Sequence, residues 1–154
     1  MNPPVLTINT KKEKIDPYSH DMIIVYKINS ANKKDGIVPG TFEDIRDYVE
    51  NGGSLIIAAQ DDIKSIDMKN LLTVDLITKQ FEKEKCFTAL GAYFGAEANK
   101  GAITFASVDD KNPLIVYGER KRGRVAYYGI MDEASDFKTL PSYPIFWDSL
   151  INFM

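Results

Sequence analysis

Acidic side chains stand directly after two apolar segments of the chain. Asp61 and Asp62 follow the first segment, and Asp132, Glu133 and Asp136 follow the second. In open α/β sheets, ligands bind at the carboxyl ends of the strands, and Mg²⁺ and Ca²⁺ prefer oxygen ligands. If the two segments are neighbouring strands, Asp61, Asp62, Asp132 and Glu133 can converge on a divalent metal. Acids in such places more often cap helices or face solvent, and this second role is the favoured interpretation.

The sequence holds one cysteine, Cys86, and one histidine, His20. A catalytic cysteine needs a lowered pKa and usually a histidine base beside it. Cys86 lies in the segment KEKCFT, which is not the sharp, glycine-flanked turn that exposes a nucleophile. We therefore predict a half-buried, inert thiol and a histidine in a surface loop. One histidine cannot build a multi-histidine metal site, and one cysteine cannot form an intramolecular disulfide.

A short basic run of Arg120, Lys121, Arg122 and Arg124 is predicted to lie at a hairpin turn. Nucleic-acid binding needs a wider basic face with exposed aromatic side chains, and the formal net charge of the chain is -3. The sequence therefore predicts no nucleic-acid partner, although the run could contact an acidic protein or lipid headgroups. No GxGxxG, P-loop, HExxH or paired CxxC motif is present, so no cofactor is predicted.

The clearest elements are a strand, a helix and a second strand. Asp21 to Ile28 (DMIIVYKI) and Ser54 to Ala59 (SLIIAA) are apolar runs typical of strands buried on both faces. The helix between them is predicted to begin at Thr41, whose hydroxyl can cap the first turn, and to end at Asn51-Gly52-Gly53. Parallel strands need a crossover of this kind, so a parallel pair is expected.

The second half of the chain predicts more strands. Leu71 to Ile77 is interpreted as a strand or extended segment, and Phe81 to Phe94 as a helix, because Phe87, Leu90 and Phe94 recur at helical spacing. The remaining predictions are strands over Ala102 to Val108, Leu114 to Tyr117 and Arg124 to Ile130, with the last two forming an antiparallel hairpin, and a helix from about Pro144 that buries Phe146, Leu150 and Phe153.

The chain has 154 residues, of which 44% are hydrophobic, and this size suits a single domain with its own core. No apolar run is long enough to span a bilayer, so this segment is not expected to cross a membrane. The apolar finish on Phe153 and Met154, without a polar tail, leads us to expect that residues 1–154 are one domain excised from a larger protein.

Two segments together resemble a known family. Asp44 to Ala59 (DIRDYVENGGSLIIAA) resembles the helix, NGG turn and strand of class I glutamine-amidotransferase-like domains. Arg122 to Ile130 (RGRVAYYGI), followed by Leu140 to Leu150 (LPSYPIFWDSL), resembles the closing strand and helix of such domains in von Willebrand factor A/BatA-type membrane proteins. The resemblance implies a flavodoxin-like fold and a parent protein held in a membrane by helices that lie outside this segment.

The chain departs from that family where the family does its chemistry. Glutamine amidotransferases resemble one another in a G-x-C-x-G nucleophile turn and a later His-x-Glu pair, whereas this chain has no G-x-C-x-G and no histidine after Cys86. No catalytic residue is carried over, so the resemblance implies the fold without the amidotransferase activity, and fold alone does not fix function.

The prediction is therefore an α/β domain, a three-layer flavodoxin-like sandwich with a mostly parallel sheet and a terminal antiparallel hairpin. Its expected role is non-catalytic binding of a ligand, an unknown protein partner or other parts of the parent chain. The alternative is a hydrolase or transferase that uses Asp61, Asp62, Asp132 and Glu133 with a divalent metal.

Overall fold

The fold is built on a strand–helix–strand unit in the first half of the chain. The computed structural model describes residues 15–28, 38–77, 82–86 and 89–154. Strand β1 (Met22–Val25) pairs in parallel with β2 (Ser54–Ala58), and helix α1 (Thr41–Glu50) lies between them in sequence. This unit confirms the sequence prediction.

The start of α1 differs from the prediction. Gly40, with φ of 91°, holds the N-cap position, and no side chain caps the helix. The Thr41 hydroxyl instead donates to the carbonyl oxygen of Val38 at 2.7 Å. A residue with positive φ at the N-cap suits glycine, so the helix begins through a backbone turn rather than a hydroxyl cap.

The second half of the chain contains the other seven strands that the structure describes, and the last three of them complete the main sheet. The remaining strands are β3 Val74–Leu76, β4 Glu82–Cys86, β5 Ala89–Tyr93, β6 Ala96–Ala98, β7 Ile103–Val108, β8 Asn112–Arg120 and β9 Gly123–Tyr128. The hairpin β8–β9 and the strand β7 confirm their predictions. Short 3₁₀ helices cover Pro17–Ser19, Ile63–Ser65, Asp132–Ala134 and Phe137–Thr139.

The main sheet has the order β1-β2-β9-β8-β7. The β1–β2 and β2–β9 pairs are parallel, whereas β9–β8 and β8–β7 are antiparallel. The prediction of a mostly parallel sheet was wrong, because two short turns at 109–111 and 121–122 join three consecutive strands, and a short turn can connect only antiparallel neighbours. The fold that the structure gives is α/β with a mixed sheet.

One helix covers each face of the sheet. Successive side chains of a strand point to opposite faces, so a strand such as β2 contributes to both core clusters. Leu55 and Ile57 of β2 join α1 in one core cluster, whereas Ile56 and Ala58 join Leu150 of helix α2 (Ser142–Phe153) in the other. Leu150 is buried as predicted, but Phe153 is 48% exposed and its predicted burial was wrong. It lies at the last turn of α2, where its ring contacts those of Phe105 and Tyr117 at the edge of the sheet and one side stays open to solvent.

The segment predicted as a helix over Phe81 to Phe94 contains strands instead. Strands β4 and β5 pair as an antiparallel ladder, while β3 and β6 form a second small sheet. The chain beyond β5 returns to the main sheet, because Tyr93 bridges Ile130 and the Met131 amide donates to the carbonyl oxygen of Ala92 at 2.8 Å. Phe87 lies outside the described residues.

Glycine brings the chain close to the end of α1 at one point. A Cβ at Gly123 would overlap the carbonyl oxygen of Val49 and lie 2.6 Å from that of Gly53. The start of β9 therefore contacts the backbone of the turn between α1 and β2, and only a residue without a side chain permits this approach.

Candidate functional site

The carboxyl ends of β1, β2 and β9 lie together at one edge of the sheet, because these three neighbouring strands run parallel. We call this the carboxyl edge. Polar residues follow each strand there: Tyr26 and Lys27 after β1, Gln60 to Asp62 after β2, and Asp132 and Glu133 after β9. The condition on which the sequence argument depended, that β2 and β9 are neighbours, is confirmed.

Asp132 is the buried acid of the carboxyl edge, with 6% of its surface exposed. One carboxylate oxygen accepts a hydrogen bond from the Tyr128 hydroxyl at 2.6 Å, and the other accepts one from the Tyr143 hydroxyl at 2.5 Å. Hydrogen bonds to a carboxylate are short and strong. Asp132 therefore ties the end of β9 to helix α2, and both of its oxygens already have a donor.

The tyrosine hydroxyls near this acid resist ionisation. Burial, together with the hydrogen bond to Asp132, raises the pKa of Tyr128 and of Tyr143 far above the usual range for tyrosine. Burial alone raises the pKa of the Tyr127 hydroxyl, which has no hydrogen-bond partner among the described residues. An ionised tyrosinate in any of these places would be a buried negative charge without a cation.

We expect this resistance to make the fold sensitive to alkali. An unfolded tyrosine ionises near pH 10, whereas the folded chain keeps Tyr127, Tyr128 and Tyr143 protonated. The stabilisation is complete below about pH 10 and is lost as the pH rises further. A spectrophotometric titration of the tyrosines should show one group that ionises only at the pH where the circular dichroism signal is lost. Tyr127→Phe should remove one residue from that group; ionisation of all tyrosines in a folded chain would contradict the prediction.

Lys27 and Glu133 form an ion pair on the open side of the carboxyl edge. The hydrogen bond between them raises the pKa of Lys27 and lowers the pKa of Glu133. Their side chains are 52% and 62% exposed, so the pair adds little to stability. The Lys27 ammonium also lies 5.5 Å from the ring centroid of Tyr26, a side chain that is 42% exposed. Exposed charges of both signs thus stand beside an exposed aromatic ring.

Gln60 fixes the chain that follows β1. Its side-chain oxygen accepts from the Ile28 amide at 2.8 Å, and its nitrogen donates to the Ile28 carbonyl oxygen at 2.7 Å. The same nitrogen donates to Asp62 at 2.6 Å. The buried Gln60 side chain therefore extends the hydrogen bonding between β1 and β2 as far as Ile28, and it fixes the backbone next to Lys27 at the carboxyl edge.

The four acids predicted to bind a metal do not form a metal site. Asp62 accepts from Gln60, Asp132 from two tyrosines, and Glu133 pairs with Lys27, while Asp61 is exposed. Within the part of the chain that the structure describes, no group of three or more His, Cys, Asp or Glu side chains could hold a metal ion. The strand ends lie side by side as predicted, but Asp62, Asp132 and Glu133 each contact a different side chain instead of a common point.

The basic run serves the ends of the two helices. Arg120 and Lys121 both pair with Glu50, at the end of α1, and their hydrogen bonds lower the pKa of that carboxyl group. The Arg122 guanidinium donates to the side-chain oxygen of Asn51 at 3.1 Å, and that of Arg124 to the Met154 carbonyl oxygen at 3.0 Å. Cations at helix C-termini are stabilising, so the run has a structural role.

The remaining reactive residues lie away from the carboxyl edge or outside the description. His20 precedes β1, at the opposite edge, and its Nδ1 lies 2.8 Å from the Ser19 hydroxyl. Cys86 is the last residue of β4, and the prediction for its side chain falls outside the described part. The sequence argument missed Lys27 and Tyr143, whose roles depend on contacts between distant segments.

A family model for a domain of unknown function, DUF7408, matches residues 5–150. The chain belongs to this family. No curated protein matches the sequence. The described part of this DUF7408 chain has no helix that is long and apolar enough to cross a membrane.

Several solved structures of other proteins are similar in fold to this chain. A cytoplasmic protein of Salmonella typhimurium is 20% identical with a TM-score of 0.68, and a second one, from strain LT2, is 18% identical with a TM-score of 0.67; each match covers 88% of this chain and 72% of that protein. An exo-β-1,4-mannosidase of Opitutaceae bacterium strain TAV5 is 16% identical with a TM-score of 0.54, over 85% of this chain and 24% of the enzyme. These likenesses concern the fold alone.

Proposed function

We propose that this chain is a non-catalytic binding module whose ligand site is the open side of the carboxyl edge. The observation that supports the proposal is that two neighbouring acids differ in burial and in their partners. Asp132 is buried, and both of its oxygens are occupied by tyrosine hydroxyls, whereas the adjacent Glu133 is exposed and paired with Lys27. The buried group holds the edge in shape, and the exposed ion pair is free to exchange its contacts with a ligand.

The chemistry of the exposed groups suits a small zwitterion such as a free amino acid. Lys27 can bind a carboxylate and Glu133 an ammonium group, while the exposed Tyr26 ring can cover an apolar side chain. Exchanging one exposed ion pair for two pairs with a ligand leaves no charge unpartnered. L-Glutamine is the natural first probe, because of the amidotransferase-like resemblance.

We extend the proposal to the origin and setting of the domain. The segments DIRDYVENGGSLIIAA and RGRVAYYGI support a descent from glutamine-amidotransferase-like domains with a three-layer flavodoxin-like arrangement. Helices on the two faces of the mixed sheet are compatible with this arrangement. By the same resemblance we place the domain in a membrane-associated parent protein. Limited proteolysis of the parent protein in membranes would test this setting by releasing the domain.

A thermal-shift screen with L-glutamine, other amino acids, MgCl₂, nucleotides and sugars tests the site. A ligand that binds only the folded chain raises the melting temperature, and the rise grows with the logarithm of its concentration once the site is filled. We expect this rise with an amino acid. Lys27→Met should weaken the binding about tenfold or more. Lys111→Met, on the turn between β7 and β8, is the matched control and should leave the binding unchanged.

The other outcomes of the screen decide against the proposal. A response to MgCl₂ alone that Asp61→Ala abolishes would support the metal-dependent hydrolase or transferase. A response that Lys27→Met and Lys111→Met affect equally would place the ligand elsewhere. A flat response to every class would rule out the proposed site for these ligands.

A further inference from the structure

Asn51 is the one asparagine in the sequence that a glycine follows. In such a pair the backbone nitrogen of the glycine can attack the side-chain carbonyl carbon of the asparagine, because no Cβ on the glycine shields that nitrogen. Asn51 is exposed and lies at the C-cap of α1, in a turn over residues 48–53 that we call the α1 turn. The pair is therefore chemically able to lose the side-chain amide, and water reaches it.

The backbone of the pair is fixed by the hydrogen bonds that end α1. The Gly52 amide donates to the Val49 carbonyl oxygen at 2.9 Å, and the Gly53 amide donates to that of Tyr48 at 3.0 Å. These are the two hydrogen bonds of a Schellman motif. The ψ angle of Asn51 is 5°, so the Gly52 nitrogen nearly eclipses the backbone nitrogen of Asn51 instead of facing its side chain. The attacking nitrogen is thus bonded elsewhere and turned away from its target.

The Asn51 side chain is held as well. Its Nδ2 donates to the Asp47 carbonyl oxygen at 2.9 Å and to the Tyr18 hydroxyl at 3.3 Å, and its Oδ1 accepts from the Arg122 guanidinium at 3.1 Å. Arg122 belongs to the turn between β8 and β9, so it ties a distant segment to the α1 turn. The reaction requires the side chain and the Gly52 nitrogen to meet, and they cannot do so until these hydrogen bonds break.

We infer that Asn51 is a site of spontaneous deamidation whose rate is set by the opening of the α1 turn. Local opening of this kind exposes one segment without unfolding the whole chain. In the open turn the Gly52 nitrogen gives its proton to solvent and bonds to the Asn51 Cγ, the Cγ–Nδ2 bond breaks, and ammonia leaves. Water then opens the cyclic imide at either of its carbonyl carbons. One water is consumed and one ammonia released, and position 51 becomes aspartate or isoaspartate.

Both products weaken the end of α1. A carboxylate at position 51 cannot donate to the Asp47 carbonyl oxygen, and it places negative charge at a helix C-terminus, where anions are unfavourable. Isoaspartate also lengthens the main chain by one carbon atom within the α1 turn. That turn has no room to expand toward β9, because a Cβ at Gly123 would already overlap the Val49 carbonyl oxygen. The isoaspartate form is therefore expected to unfold at lower urea concentration than the variant Asn51→Asp.

Peptide mapping by mass spectrometry, after incubation in isotope-labelled water at mildly alkaline pH, tests the inference. The folded chain should lose the Asn51 amide about tenfold or more slowly than the same chain in urea, and each event should add one labelled oxygen. Asn70 is exposed and precedes leucine, so it is the internal control in the same map and should change far less than Asn51 in urea. No loss at Asn51 in urea, or equal rates in the folded and unfolded chains, would overturn the inference.

Arg122→Ala tests whether the closed turn controls the rate. The loss of this hydrogen bond should speed deamidation of the folded chain about threefold or more, while the rate in urea should stay the same. Arg46→Ala is the matched control, because the Arg46 side chain contacts Asp47 and not Asn51. Circular dichroism confirms that both variants are folded. Slower loss in Arg122→Ala would mean that the guanidinium activates the Asn51 carbonyl group, and this result would contradict the inference.

Discussion

Gly123→Ala should destabilise the fold by about 3 kcal/mol or more, because the added methyl group has no room and its neighbours are backbone atoms that cannot move aside easily. Its Cβ would overlap the carbonyl oxygen of Val49 and lie 2.6 Å from that of Gly53. One atom belongs to the last turn of α1 and the other to the residue before β2, so relief requires moving the backbone of this connection away from β9. Urea unfolding followed by circular dichroism measures the loss.

Gly118→Ala is the matched control in the neighbouring strand β8. There the new Cβ would meet the Thr73 side chain at 3.0 Å rather than a carbonyl group. Relief there needs a shift of a few tenths of an ångström by one methyl group rather than the movement of a helix end, so we expect a cost of about 1 kcal/mol. Equal losses for the two variants would mean that the close backbone contact at Gly123 does not govern the stability of this region.

Asp132→Asn should cost about 2 kcal/mol, although it changes only one atom of the side chain. The Asp132 carboxylate accepts hydrogen bonds from Tyr128 and Tyr143, and an amide nitrogen cannot accept either. One tyrosine hydroxyl is then left without an acceptor in a buried place, where an unsatisfied donor is costly. Chemical unfolding of the two proteins side by side measures the difference.

Asp136→Asn is the control, since Asp136 is exposed on the same loop and caps nothing with its side chain. Such surface changes usually stay within about 0.5 kcal/mol. Tyr143→Phe removes one donor, so Asp132→Asn should cost less in that background than in the wild type. If Asp132→Asn and Asp136→Asn are equally stable, the two tyrosines do not hold the carboxyl edge through this acid.

The parts of the fold that could be predicted are those whose signals are local and repeated. The apolar runs of β1 and β2, the glycines after α1 and the turn between β8 and β9 each depend on a few adjacent residues. The helix predicted over Phe81 to Phe94 was wrong because it, too, was inferred from a local pattern alone. Its aromatic spacing is helical, but pairing with a neighbouring strand decides the backbone, and that partner is invisible in a local pattern.

The site was predictable in place but not in detail. Parallel strands bring Asp61 and Asp132 to one edge, and the apolar runs before them indicate this. Which way each acid turns depends on partners that are distant in sequence. Tyr143 reaches Asp132 from α2, and Lys27 reaches Glu133 across the end of β2. No spacing in the sequence encodes either contact.

The hydrogen bond from the buried Ser54 hydroxyl to the Met154 carbonyl oxygen, at 2.7 Å, has a practical consequence for measuring binding. It holds residue 154 at the start of β2, whereas Lys27 and Glu133 stand at the finish of the parallel strands. A chain attached to a sensor surface through residue 154 would therefore present its ligand edge to the solution while crowding Phe153. Immobilisation through this end is therefore the orientation to use when amino-acid binding is measured.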